Sequence, residues 1–309
     1  VGAGEDDVVV DVEGRHLRLR RLEKVLYPAT GTTKAEVVAY VTAVAPALLA
    51  QVRGRPLTRR RWPDGVTGGS FFEKGVPRGA PDWLRTVELE SLGSTRGRGT
   101  VRYPLVDDLA GLVWLADLAA LELHVPQWRV GPRGGVRHPD RLVVDLDPGQ
   151  GAGLAECAEV ARAARERLEA DGLRCHPVTS GSKGLQLYAP VSGAQGADVL
   201  RSYARRLAEG LERDRPDLVV SRVTKTRRGG RVLLDWSQND AGRTTVAPYS
   251  PRGRHRPCAA APRTWAELED PGSLRQLTLA EVADRHARDG DLLAALGPGA
   301  EPGPRVPTR

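Results

Sequence analysis

The chain has 309 residues, 40% hydrophobic and 28% charged, enough apolar content for a buried core in one large domain or two modest ones. A formal net charge of +7 and a sequence pI of about 9.6 point to a polyanionic partner. No apolar run approaches the roughly eighteen residues of a membrane span, and the start lacks the features of a secretory signal. Cys157, Cys175 and Cys258, with no C-x-x-C spacing, indicate neither a disulfide framework nor a zinc site, so a cytoplasmic protein with no membrane association is expected.

The first twenty residues read as strands: Val8-Val9-Val10, then the alternating His16-Leu17-Arg18-Leu19-Arg20. A turn at Tyr27-Pro28-Ala29-Thr30-Gly31 follows, and Thr33 with Glu36 forms a capping-box pattern that opens a helix through about Leu49. Lys34 falls in its first turn, where exposed N–H groups favour an anion. Residues 55–105 read as short strands and loops, 107–122 as a buried helix followed by His124, and 131–140 as a turn-rich link. A strand then ends in Asp145-Leu146-Asp147-Pro148-Gly149, followed by an amphipathic helix over about 154–170. Strands around 175–179 and 185–188 flank Ser180-Gly181-Ser182-Lys183-Gly184. A helix over about 197–213, a strand ending in Asp235 and a helix over about 278–288 complete the order. Residues 297–309, rich in Gly and Pro, are expected to be disordered. Strands and helices are mixed without strict βαβ alternation, which suggests an α+β fold with helices on one face of the sheets.

Residues i and i+2 of a strand share a face, so Asp145 and Asp147 can bring their carboxylates together at a sheet end. With Asp235 from a neighbouring strand they would make a hard oxygen site for Mg²⁺ or Mn²⁺; without it they are solvated aspartates before a Pro-Gly turn. The Ser180–Gly184 segment lacks the Walker A spacing and reads either as a hairpin or as a phosphate cradle that Arg228 and Arg252 could extend. Phe71 and Phe72 are the only phenylalanines. In a strand one ring would face the core; in a loop beside Arg59, Arg60, Arg61 and Trp62 the pair would be a stacking platform for bases. Only five of the 46 basic residues are lysines, Lys24, Lys34, Lys74, Lys183 and Lys225, which marks them as places suited to a compact ammonium.

Taken in order, these pieces resemble the polymerase domain of bacterial ligase D, an archaeo-eukaryotic primase-type polymerase of DNA end joining. The residues that carry the resemblance are Lys24-Val25-Leu26-Tyr27-Pro28, Arg61-Trp62-Pro63-Asp64-Gly65, Phe71-Phe72-Glu73-Lys74 and Leu121-Glu122-Leu123-His124. They continue with Asp145–Gly149, Ser180–Leu185, Leu234-Asp235-Trp236-Ser237-Gln238-Asn239 and Ala247-Pro248-Tyr249-Ser250-Pro251-Arg252, over roughly residues 15–290. The resemblance implies a primase-polymerase fold over 1–296, with mixed and antiparallel sheets flanked by helices. A DNA-end-binding part would cover about 1–105 and an RRM-like catalytic core about 106–296. It implies two divalent metal ions on Asp145, Asp147 and Asp235, manganese favoured and magnesium possible, and NTP or dNTP as substrate. His124, Ser180, Ser182, Lys183, Gln186, Arg228 and Arg252 would contact the nucleotide. Lys24 and Lys34 would grip a 5′-phosphate, and Phe71 and Phe72 would stack on the template.

The implied function is template-directed nucleotidyl transfer that fills gaps and extends DNA ends in non-homologous end joining, with ribonucleotides preferred. Expected partners are DNA with gaps or broken ends, a Ku-like end-binding protein and a separate DNA ligase, at the nucleoid. Gln186 stands where the family usually carries histidine, which weakens the expectation of a charged phosphate contact there. Two other functions fit parts of the chain. One is a non-catalytic module binding a recessed 5′-phosphate through Lys24 and Lys34. The other is a two-metal nuclease using Asp11 with Glu13, or His286 with Asp291.

Overall fold

The structure, a computed structural model, describes residues 7–91, 99–222 and 228–308; Lys225 lies outside them. The chain folds into two units, each discontinuous in sequence: Val1–Val125 with Val246–Ala259 and Leu277–Asp291, and Pro126–Thr245 with Ala260–Gln276 and Leu292–Arg309. The division expected near residue 105 falls after Val125 instead, because the strand that ends there belongs to a sheet of the first unit.

In the first unit, β1 (Asp7–Val12) pairs antiparallel with β2 (Arg15–Arg20). Leu17 and Leu19 are buried while the arginines between and beside them face outward. The short hairpin β3 (Val25–Tyr27) and β4 (Thr32–Thr33) leads into α1 (Lys34–Ala43), where Thr33 and Glu36 form the expected capping box. The single helix expected to about Leu49 is instead broken at Val44. A second helix, α2 (Ala45–Val52), is bent 79° from the first. Pro46 has no N–H to continue the α1 ladder and suits the first turn of a new helix. Next come β5 (Thr58–Arg61), β6 (Phe71–Glu73), and the hairpin β7 (Thr86–Glu90) with β8 (Thr100–Pro104).

The helix expected over 107–122 is shorter. α3 (Leu109–Asp117) stops, Ala119 takes φ +54°, and β9 (Ala120–Val125) begins. A run apolar on every side has no period to separate a buried helix from a buried strand. Here β9 is a central strand, paired with β5, which pairs in turn with the edge strand β6.

The second unit opens with the ribbon β10 (Trp128–Val130) and β11 (Val136–Pro139) and then β12 (Arg141–Pro148). α4 (Leu154–Ala170), β13 (His176–Thr179), β14 (Leu185–Pro190), α5 (Ala197–Asp214) and β16 (Val232–Asp235) follow close to the expected bounds, with an additional short strand β15 (Val219–Val220) before β16. β17 (Thr245–Val246) returns the chain to the β9 sheet; β18 (Ala261–Pro262) and α6 (Trp265–Glu269) belong to the second unit, and α7 (Leu279–Asp289) to the first.

The central sheet runs β15-β16-β12-β14-β13-β18, antiparallel except for the β15–β16 pair. Its two faces follow from alternation. Leu142, Val144 and Leu146 of β12, Leu185, Leu187 and Ala189 of β14, and Val232 and Leu234 of β16 pack with Val160, Ala164, Leu200 and Leu207 of α4 and α5. The opposite face therefore receives Arg141, Val143, Asp145 and Asp147, with Gln186, Tyr188, Leu233 and Asp235. A one-residue slip of β12 would drive both aspartates into that core. Each buried leucine contributes about 1.5–3 kcal/mol against such a slip.

The tail does not match the expected disorder over its described residues 297–308. Val306 is buried, its N–H donates to Gln195 Oε1, and Ser192 N–H donates to the Pro304 carbonyl. A Cβ on Gly303 would meet the Pro190 carbonyl at 2.0 Å, so glycine permits this close seat along the end of β14.

Candidate active site

The β12–β16 register sets Asp145 directly opposite Asp235, with Asp147 two residues along the same face. Directly opposed residues of an antiparallel pair have Cβ atoms about 5 Å apart. The strand pairing that joins Asp235 to a motif ninety positions earlier is thus present. Like charges facing each other are unfavourable, and donors surround them. Gln186 Nε2 donates to Asp145 Oδ1 at 2.9 Å. Ser237 N–H and Oγ donate to Asp235 Oδ1, and Gln238 Nε2 to Asp235 Oδ2 at 2.8 Å. Asp235 thereby caps the 3₁₀ turn Trp236–Asn239. Asp147 is half exposed, with Arg228 Nη2 at 3.8 Å from Oδ2.

As the side chains stand, no three His, Cys, Asp or Glu groups among the described residues converge on one ion. The backbone brings the three carboxylates to one face, while the Asp235 side chain is turned onto its own cap. The donor set is hard oxygen, the kind that suits Mg²⁺ or Mn²⁺.

Ser180–Gly184 forms the turn between β13 and β14. Ser180 Oγ accepts from the Ser182 and Gly184 N–H groups, and the Gly181 N–H, at φ +68°, donates to Gln276 Oε1 at 2.6 Å. Gln276 also donates to the Gly184 carbonyl, clamping both ends of the loop. A Cβ at Gly184 would lie 2.1 Å from the Leu146 carbonyl, so only glycine lets the loop lie against β12. These three N–H groups are engaged within the protein. The loop presents the exposed Lys183 and the half-buried Ser182 instead.

His124 and Arg252 belong to the first unit, where they share one carboxylate. Glu122, 2% exposed, bonds His124 Nε2 through Oε2 at 3.0 Å and accepts from Arg252 Nε through Oε1 at 3.1 Å. Burial would raise the Glu122 carboxyl, but hydrogen bonds and charge from His124 and Arg252 prevail and hold it down to about 2. Arg254 is pushed below the usual guanidinium range by burial and by the Arg252 charge. The cluster carries more positive than negative charge, as a polyanion site requires.

Its backbone is fixed from below. Tyr27 OH donates to the Arg252 carbonyl, Tyr40 OH to the Tyr249 carbonyl, and Ser250 Oγ accepts from Leu123 N–H. Tyr249 itself is held at φ +67°, a sparsely populated conformation for a non-glycine residue.

Phe71 and Phe72 lie in a strand, yet neither ring enters the core: they are 46% and 59% exposed. β6 is an edge strand of three residues, paired on one side only, with β5. Arg60 lies over the Phe72 ring and Arg61 over Phe71, and Phe72 meets His124 edge-on at 5.4 Å. Lys24 reaches Asp64 at 2.8 Å on the surface. Lys34 differs from expectation. It is 5% exposed, and its ammonium donates to the Arg20 carbonyl, the Asp117 carbonyl and Asp117 Oδ1, using all three N–H bonds. Burial lowers its pKa, and Asp117 opposes that shift.

Three of the four residues of the nuclease reading are engaged in local hydrogen bonds, and the fourth, His286, meets the Tyr249 ring edge-on. Asp11 Oδ1 caps the β1–β2 turn at Gly14, Glu13 accepts from the Leu109 N–H at the start of α3, and Asp291 accepts from Tyr249 OH. Sequence reasoning missed Glu122 and Gln276. Glu122 could have been found as an acid between two leucines with a histidine at i+2 on its own face; Gln276 has no local signal.

Residues 33–293 match the family model described as LigD, primase-polymerase domain. The chain is 51% identical over 290 residues to the multifunctional non-homologous end joining DNA repair protein LigD of Mycobacterium tuberculosis, covering 91% of the chain and 37% of that protein. The bifunctional non-homologous end joining protein LigD of Bacillus subtilis is 29% identical over 275 residues, 89% of the chain and 43% of that protein. The chain therefore spans about two fifths of the length of these curated relatives. A solved structure of the polymerase domain from Mycobacterium tuberculosis ligase D in complex with DNA superimposes with a TM-score of 0.86 at 50% identity. The match covers 92% of this chain and 98% of that one.

Proposed function

The chain belongs to the family of LigD primase-polymerase domains, a nucleotidyltransferase family, and from that premise we propose that it fills gaps and extends broken DNA ends by template-directed nucleotidyl transfer, preferring ribonucleotides. The observation that carries this reading is the pairing of Asp145 with Asp235, Asp147 sharing their face. These aspartates would hold two divalent ions, manganese favoured over magnesium. Such ions, when bound, acidify an attacking hydroxyl and neutralise a triphosphate.

The chain's own residues would do the rest. Lys183, Ser182 and Ser180 of their loop, with Arg228 beside Asp147, would orient the triphosphate. Arg252 and His124 would exchange part of their hold on Glu122 for phosphate oxygens, at little cost because the cluster is already oriented. Phe71 and Phe72, exposed with arginines over them, would stack on template bases. Lys24 would meet a 5′-phosphate directly, whereas Lys34 must exchange an Asp117 contact for one. A Ku-like protein and a separate ligase would work with it on double-strand breaks at the nucleoid.

Extension of a primer across a gap tests this, with ribo- or deoxynucleotides, Mn²⁺ or Mg²⁺, and a 5′-phosphate or hydroxyl at the far side. We expect incorporation favoured by ribonucleotides, Mn²⁺ and the 5′-phosphate. Binding of the gapped DNA without incorporation under any metal would select the end-binding module instead.

A further inference from the structure

The aspartate face carries a line of polar contacts running from the buried end of β12 towards its open end. Arg141 is 1% exposed, and its guanidinium lies over the Tyr188 ring with Cζ 5.2 Å from the centroid. Its Nε donates to Gln127 Oε1 at 2.8 Å, and the Gln127 amide donates to Thr245 Oγ1 at 2.8 Å. Tyr188, fully buried, donates its hydroxyl to Gln186 Oε1 at 3.0 Å, and Gln186 Nε2 donates to Asp145 Oδ1 at 2.9 Å. The register explains the line: Tyr188 and Gln186 are i+2 neighbours on β14, facing Val143 and Asp145 of β12.

An ionised carboxylate only accepts hydrogen bonds, so Gln186 must present its NH₂ to Asp145 and its carbonyl elsewhere. Tyr188 supplies the donor that this carbonyl needs. The amide therefore has one favoured orientation, and 5% exposure leaves it little water with which to adopt another. Asp145 faces two cross-strand neighbours, Asp235 on one side and Gln186 on the other. The first repels its charge and the second donates to it.

We propose that Gln186 is a positioning residue: locked by Tyr188, its amide fixes the orientation of the Asp145 carboxylate and offsets repulsion from Asp235, so that Asp145 is pre-set to hold a cation. This rests on the proposed polymerase reading, in which Asp145 is a metal ligand, and it replaces a triphosphate contact at position 186. Groups that orient a metal ligand through a hydrogen bond typically contribute about 10-fold or more to metal affinity. A neutral amide can serve here because the task is to direct one carboxylate oxygen, which requires a donor and not a charge.

The test is Mn²⁺ binding to the intact chain without nucleotide, read from the free-ion signal in electron paramagnetic resonance. Gapped-DNA affinity and melting temperature serve as controls in the same preparations. Gln186→Leu keeps the size and removes the donor; it should weaken Mn²⁺ by about 10-fold while leaving DNA affinity unchanged. Tyr188→Phe, which removes only the hydroxyl, should weaken Mn²⁺ by a smaller factor and have no further effect in the Gln186→Leu background, because it acts through the amide. Unchanged Mn²⁺ affinity in a folded Gln186→Leu protein, or a Tyr188→Phe effect of equal size in both backgrounds, would overturn the proposal. Asp145→Asn separates the two levels. If it leaves Mn²⁺ binding intact, the polymerase reading fails; if it abolishes binding while Gln186→Leu does not weaken it, only the positioning role fails.

Discussion

Glu122 shows how one side chain can prepare two others. Its carboxylate holds His124 and Arg252 in place inside the first unit, and with an ordinary value of 4.5 lowered to about 2 it stays ionised. A depressed acid adds stability that is present above its unfolded value and disappears as pH falls through the folded one. Stability should therefore decline between about pH 4.5 and 2, and a Glu122→Gln protein should lack that portion of the decline. At neutral pH the same change should cost ~3 kcal/mol, since it leaves a buried arginine without its counter-charge; urea unfolding at the two pH values checks both. The aspartates were legible because Asp-x-Asp at a strand end is a local pattern. Glu122 was not, because an acid between leucines reads as the polar half of an ordinary strand until its partner, 130 positions away, is known.

At the scale of elements, α1 shows where local rules suffice. Thr33 Oγ1 accepts from Glu36 N–H and Glu36 returns a bond to the Thr33 N–H, so both residues and the helix start were readable in advance. Thr33→Ala should lower stability by ~1 kcal/mol, seen as a lower urea midpoint with an unchanged slope. The fate of the next residue was not readable. Lys34 was placed correctly in the first turn, but its side chain bridges the end of β2 and the end of α3, where a cation also complements the helix dipole. That role depends on where Asp117 arrives, which no spacing reveals. The helices α4, α5 and α7 came out within a residue or two because each has a polar face to mark its period. The apolar run before His124 has none, and it split into α3 and β9.

The whole molecule is basic, and the excess charge is carried almost entirely by arginine. Binding to gapped DNA should accordingly fall at least ~10-fold between 50 and 200 mM salt if several phosphates are contacted. Lys24→Met should flatten the log–log salt slope by about one and remove any preference for a 5′-phosphate; fluorescence anisotropy over a salt series measures both. The α+β class was evident from the mixed order of strands and helices. The interleaving of the two units was not, since residues 246–259 and 277–291 rejoin elements laid down more than a hundred positions earlier, β9 and α1 among them. That interleaving governs how the chain can be born. A ribosome releases β9 long before Val246 exists to cover its open edge, and the first unit lacks its last piece until Asp291 has emerged. No nascent length that stops short of Asp291 contains a finished first unit, so its maturation is expected to be a late event, with the naked β9 edge in need of shelter meanwhile.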